Sequence, residues 1–403
     1  MTEIVTLTIE ALGHRGDGVA PGPVFVPFSL PGETIEAEVE GERGRLLRVI
    51  EPSGSRAEPF CSHFTVCGGC VTQHLAPQAY LDWKRGLVSE ALRLGRIEAT
   101  VAPVINAHGH GRRRATFHAR GGKLGFAMAR SHDLVDLDTC PLLTPALNES
   151  LPACHALATA LSGANKPIDM LVTSTRTGLD IDFRGTGKLS DALRLKLADL
   201  AGRFDLARLS NHGDVILERR APLVRFGNVD VSPPPGSFLQ ATEAADEALA
   251  GLVREAIGGA KKVLDLFSGC GTLGLALADR ASIHAIDGDK AAIGALDRAA
   301  RRATGLKPVT SAVRDLFYTP LTPAELKPYD AVIFDPPRAG AEAQAKRLAA
   351  SSVRRVVAVS CSPTTFARDA GLLIAGGFKL GTVTPVDQFR HAAHVELVAL
   401  FTR

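Results

Sequence analysis

Residues 261–278, KKVLDLFSGCGTLGLALA, run an apolar strand through a turn holding Gly269, Gly271 and Gly274 into an Ala/Leu-rich helical stretch. A strand that feeds a helix this directly calls for further units of the same kind, because the next strand returns parallel through the crossover. SIHAID (282–287), YDAVIFDPP (329–337) and RRVVAVSCSP (354–363) supply them, separated by Ala-rich helical stretches and all downstream of a Pro-rich VSPPPG at 231–236. Residues 236–403 are therefore expected to form a doubly wound α/β sheet. The glycines match G-x-G-x-x-G, with Asp287 ending the next strand, a pattern that serves dinucleotide-binding and methyl-transfer folds alike.

Ligands of such sheets sit beyond the carboxyl ends of the strands. Asp287, Asp335 and Cys361 each end a strand, so they are expected to converge on one rim. Cys361 also precedes a helical stretch, PTTFARDAGLL. A helix N-terminus contributes about 1 kcal/mol to a thiolate, which lifts its neutral-pH population from a few per cent to roughly a fifth.

The first 56 residues follow another period. Short Val/Ile-rich runs at 4–9, 24–28, 34–40 and 46–50, separated by GHRGDG, PGP and LPGE, predict a small all-β barrel over 1–56. Its five Arg and no Lys face nine Asp/Glu, a poor footprint for a phosphate binder. Residues 57–235 read as a central α+β region, with a helix from about Pro77 to Gly95. From Gly111 to His132 there is no acidic residue, and Arg112, Arg113, Arg114, Arg120 and Lys123 are its candidate phosphate contacts.

CSHFTVCGGC places Cys61, Cys67 and Cys70 within ten residues. The N-terminal MTEIVTLTIE does not read as an export leader, and no apolar run approaches the roughly 18 residues of a membrane helix. The expectation is a cytoplasmic protein with no membrane partner, and in that reducing compartment the cluster is a metal or redox site rather than a disulfide framework. Cys140 is the candidate fourth ligand, since Cys270 and Cys361 lie toward the other rim and Cys154 falls in an Ala/Leu-rich helical stretch. Four thiolates suit tetrahedral zinc or an iron–sulfur cluster, and spacing does not separate the two.

DLFSGCGTLGLALA, DPPRAG, SCSPTTFARD and HAAHVELVALF, with SFLQAT ahead of the first strand, together resemble the S-adenosylmethionine-dependent RNA 5-methyluridine methyltransferases over about 165 residues. The resemblance implies a class I methyltransferase sheet with an antiparallel last strand, Cys361 as nucleophile and Glu396 as the base that removes the C5 proton. It implies that Gln240, Phe267, Thr272, Asp287, Asp315 and Asp335 line the S-adenosylmethionine pocket; Thr272 and Asp287 stand where the family often has Asn and Glu. CSHFTVCGGCVTQH with YLDWKR resembles the family's iron–sulfur segment, implying a [4Fe–4S] cluster on Cys61, Cys67, Cys70 and Cys140, read as a structural clamp. The barrel resembles the family's TRAM RNA-binding domain. Ribosomal RNA is the expected substrate and transfer RNA the alternative, with the chain acting as a monomer. An NAD-linked iron–sulfur oxidoreductase is the rival reading; it leaves Asp335-Pro-Pro-Arg and the Cys361/Glu396 pair without a role.

Overall fold

A computed structural model describes residues 3–163 and 166–403. Its largest sheet has eight strands in the order Val309–Val313, Ser282–Asp287, Lys262–Leu266, Ala331–Phe334, Arg355–Ser360, Glu396–Thr402, Lys379–Asp387 and Ile105–Asn106. The first five are mutually parallel, and Glu396–Thr402 runs antiparallel to both its neighbours. Strands such as AVIF at 331–334 are buried at every position because apolar layers cover both faces. The antiparallel insertion turns Glu396, first residue of its strand, toward the edge where the parallel strands end.

The central region contributes to this sheet as well as to its own. Helix Pro77–Leu94 lays Val88 and Leu92 among Phe366, Ala370 and Leu373 of helix Pro363–Ala375, and Ile105–Asn106 forms the sheet's edge strand. Both belong to the stretch read from sequence as central. The rest of that stretch builds a seven-stranded sheet between Arg114 and Glu218, with helices Leu151–Ala160 and Asp191–Arg203 packed on its apolar core.

A six-stranded sheet occupies residues 3–51. Four strands fall where the Val/Ile runs lie, while Ala11–Leu12 and Asp17–Ala20 are additional to the expectation, since GHRGDG reads as a turn. Gly18 explains the second: a Cβ there would stand 2.2 Å from Ser29 Oγ, so the strand passes closer to its neighbour than any side chain permits. Among the described residues no helix is long and apolar enough to cross a membrane.

Candidate active site

The glycine turn after Lys262–Leu266 brings backbone and carboxylates together. Asp265 Oδ2 accepts from the Gly274 amide at 3.0 Å, and a Cβ on Gly274 would meet that oxygen at 2.6 Å. Phe267 adopts φ 59° and Gly271 φ 92°, which bends the chain over the strand end. Asp287 accepts from the Gly269 amide at 2.9 Å and the Asp289 amide at 2.7 Å, fixing its carboxylate with lone pairs left for a ligand's hydroxyls. Asp315 is held likewise by the Phe317 and Tyr318 amides, and the Phe317 ring sits 5.4 Å from that of Phe267.

These groups line one cavity of about 610 Å³, within the range of small-molecule sites. Gln240, Phe267, Thr272, Asp287, Asp315, Asp335, Cys361 and Glu396 all border it. Asp265 and Asp289 border it as well, with Arg338 as the guanidinium in the lining; burial raises Asp265 to about 8, and Asp287, Asp289 and Asp315 are the carboxylates that suit the lining to a cationic ligand. At one end Cys361, Asp335 and Glu396 meet. Burial and the Glu396 and Asp335 carboxylates push the Cys361 thiol up to about 11, with Arg338 opposing. The thiol is therefore not activated by the following helix as expected from sequence: burial, and then two nearby carboxylates, outweigh about 1 kcal/mol of helix-end potential. Burial, then Asp335, raises Glu396 as well, while Gln388 donates to Glu396 Oε1 at 3.1 Å. Burial alone raises Asp335.

Cys61, Cys67 and Cys70 of one short segment and Cys140 from a distant one line a second cavity of about 110 Å³, several times the space one water needs. Among the described residues no three His, Cys, Asp or Glu are already gathered as ligands of a metal ion. The thiols do sense one another: burial lifts Cys70 to about 11, and burial with the neighbouring thiols raises Cys67 and Cys140. Cys154 is buried in helix Leu151–Ala160, away from this cavity.

The family model for tRNA (uracil-5-)-methyltransferases matches residues 231–403. An uncharacterised RNA methyltransferase of Brucella suis biovar 1 is 46% identical over 98% of this chain and 97% of its own. The 23S rRNA (uracil(1939)-C(5))-methyltransferase RlmD of Vibrio cholerae serotype O1 is 31% identical over 98% of this chain and 95% of its own. The chain belongs to the RNA uracil-5-methyltransferase family. The crystal structure of Pyrococcus abyssi tRNA (uracil-54, C5)-methyltransferase with S-adenosyl-L-homocysteine superposes at TM-score 0.79 with 26% identity, covering 98% of this chain and 99% of that one. This methyltransferase is thus an S-adenosylmethionine-dependent enzyme acting on RNA, with a class I catalytic sheet.

One expectation for the methyltransferase changes in space, and two relations not read from the sequence appear. Arg113 is no phosphate contact: it is 3% exposed and its guanidinium pairs with buried Asp246 on helix Glu243–Ile257. Arg112 lies 5.6 Å over the Phe389 ring and Arg114 5.6 Å over that of Phe238, both rings bordering the large cavity, while Arg120 and Lys123 are exposed. The cysteine segment, remote in sequence from Glu396, touches the loop before it: the Val71 amide donates to the His391 carbonyl at 2.7 Å. Sequence reasoning missed Gln388, which donates to Gln240 Oε1 at 2.5 Å as well as to Glu396, and whose Oε1 accepts from the Ala241 amide. Its signal was its place in VDQFRHAAHVE, a polar run between two apolar strands.

Proposed function

We propose that this enzyme methylates carbon 5 of a uridine in ribosomal RNA through a covalent bond between Cys361 and carbon 6. The observation that carries this reading is the meeting of Cys361, Asp335 and Glu396 at one end of an acid-lined cavity. S-adenosylmethionine supplies the methyl group, as a sulfonium whose positive charge matches that lining. Asp287 is placed to accept from ribose hydroxyls, and Phe267 with Asp315 to hold the adenine. Cys361, as thiolate, adds to carbon 6, and the electron pair moved to carbon 5 makes that atom nucleophilic. After methylation Glu396 takes the carbon 5 proton, the pair left behind re-forms the ring double bond, and Cys361 leaves as thiolate. The target base must be unstacked to reach this corner.

Cys361→Ala should abolish both methyl transfer and covalent attachment to RNA. Glu396→Gln should still add and methylate but accumulate an adduct that survives denaturing electrophoresis. Normal methylation by Cys361→Ala would place the nucleophile elsewhere. Ribosomal RNA is supported by the RlmD relative; mass mapping of 5-methyluridine in RNA from a strain lacking this protein decides it, and loss from transfer RNA alone would overturn it.

The four cysteines fit a [4Fe–4S] cluster: three thiols of one short segment and Cys140 from a distant one face one cavity, and burial of Cys67, Cys70 and Cys140 opposes thiolate formation until a cationic centre offsets it. Bound there, the cluster would tie the segments carrying its ligands together. The N-terminal sheet reads as a TRAM-like RNA-binding unit. Its support is a groove of about 950 Å³ against the central sheet, lined by Arg15, Arg43, Arg45 and Arg130.

A further inference from the structure

Residues 387–396 join the last two strands and carry Phe389, His394 and Glu396 to the cavity. One side chain grips this loop at both ends. Lys84, on helix Pro77–Leu94 and wholly buried, donates to Asp387 Oδ1 at 2.8 Å, to the Phe389 carbonyl at 3.1 Å and to the His394 carbonyl. Asp387, also wholly buried, further accepts from the Tyr80 hydroxyl and, at 3.1 Å, from the Phe389 amide, and its Oδ2 lies 2.8 Å from His108 Nε2. The tip of the loop is held from the same side. The His391 amide donates to Tyr80 Oη at 3.0 Å, its carbonyl accepts from Val71, and its backbone sits at φ 59°, in the left-handed region uncommon outside glycine.

We propose that the Lys84–Asp387 pair is a positioning device that sets Glu396 for removal of the carbon 5 proton. The reading rests on the covalent mechanism above. Lys84 fixes the residues on both sides of the Gln388–Glu396 hydrogen bond: Asp387 and Phe389 flank Gln388, and His394 lies two residues before Glu396. A charge wholly out of water is costly, and an apolar pair of similar volume would hold the helix to the sheet at least as well. The pair's geometry serves the loop instead. Cys361 sits on a different element, after Arg355–Ser360, and takes no bond from the pair. Thiol addition and proton removal should therefore respond differently when Lys84 is changed.

The test compares the full chain with Lys84→Met and with Lys84→Met/Asp387→Asn. S-adenosylhomocysteine binding and thermal melting report folding. Adduct formation on 5-fluorouridine RNA reports Cys361 addition without proton removal, and release from ordinary uridine RNA reports Glu396. The expected result is near-ordinary ligand binding and 5-fluorouridine adduct, with release from uridine RNA slowed on the order of 10²-fold and the adduct accumulating. Ordinary release by folded Lys84→Met would overturn the proposal, as would equal losses of addition and release. Where the single variant fails to fold, the double variant is read the same way; failure of both would make the pair a folding element and overturn it. Absence of the 5-fluorouridine adduct in the unsubstituted chain would instead overturn the covalent mechanism, and this inference with it.

Discussion

Cys361 must shed a proton before it can act as the proposed nucleophile, and its surroundings oppose that. Burial, Glu396 and Asp335 raise the thiol to about 11, so the reactive form is scarce at neutral pH and grows about tenfold per pH unit. In the ligand-free protein, alkylation of Cys361 mapped by mass spectrometry should climb steadily from about pH 7 to about pH 9 without levelling, as expected of a raised thiol. Asp335→Asn removes one of the two opposing charges and should move the climb to lower pH. An unchanged profile would mean that Asp335 is already protonated in the free enzyme. Glu396 is raised too, so the base form demanded by product release also accumulates as pH increases. Release by the intact enzyme should accordingly quicken with pH rather than slow.

At the scale of elements, a buried ion pair crosses the joint between the central sheet and the catalytic half. Arg113, 4% exposed in its side chain, pairs with Asp246, 9% exposed, across the gap between strand Arg114–Arg120 and helix Glu243–Ile257. Burial pushes Asp246 up to about 6 even with Arg113 beside it, so Asp246 without its partner is a buried carboxyl with no compensating charge. Arg113→Ala should cost about 3–5 kcal/mol in denaturant unfolding. Arg113→Ala/Asp246→Asn should recover much of that, and Arg120→Ala, on an exposed site, should leave stability unchanged. Equal stability of Arg113→Ala and the unsubstituted chain would show that the joint is held by apolar packing alone.

For the whole molecule, two surfaces outside the catalytic cavity make claims that can be measured. Anaerobically purified enzyme should carry about four irons with matching sulfide, and Cys140→Ser should lose most of both. One zinc and no iron would overturn the cluster assignment. The groove between the N-terminal and central sheets exposes Arg15, and Arg43 there is half exposed beside Asp17 at 3.3 Å. Arg15→Ala with Arg43→Ala should flatten the salt dependence of RNA binding by about one log unit per log salt for each phosphate the protein then fails to neutralise. S-adenosylhomocysteine binding should be untouched.

The sequence alone determined the catalytic sheet and the strand-end residues that face its pocket, while the family resemblance supplied Gln240, Phe267, Thr272, Asp315 and Glu396. Strand, glycine turn and helix follow from local periodicity, and a residue at the carboxyl end of a parallel strand has one rim to face, so Asp287, Asp335 and Cys361 were legible from pattern alone. The small strand Asp17–Ala20 was not, because its pairing depends on Gly18 passing Ser29, a contact between stretches that no local pattern records. Nor was the state of Cys361, since burial first, and then carboxylates from two other strands, raise it against the helix end visible in its own segment. Arg112, Arg113 and Arg114 are consecutive and alike in sequence, yet one is spent inside on Asp246 while its neighbours lie over aromatic rings at the cavity. Only the tertiary structure decided these, because burial and charge act through space, and the groups that set them lie far apart along the chain.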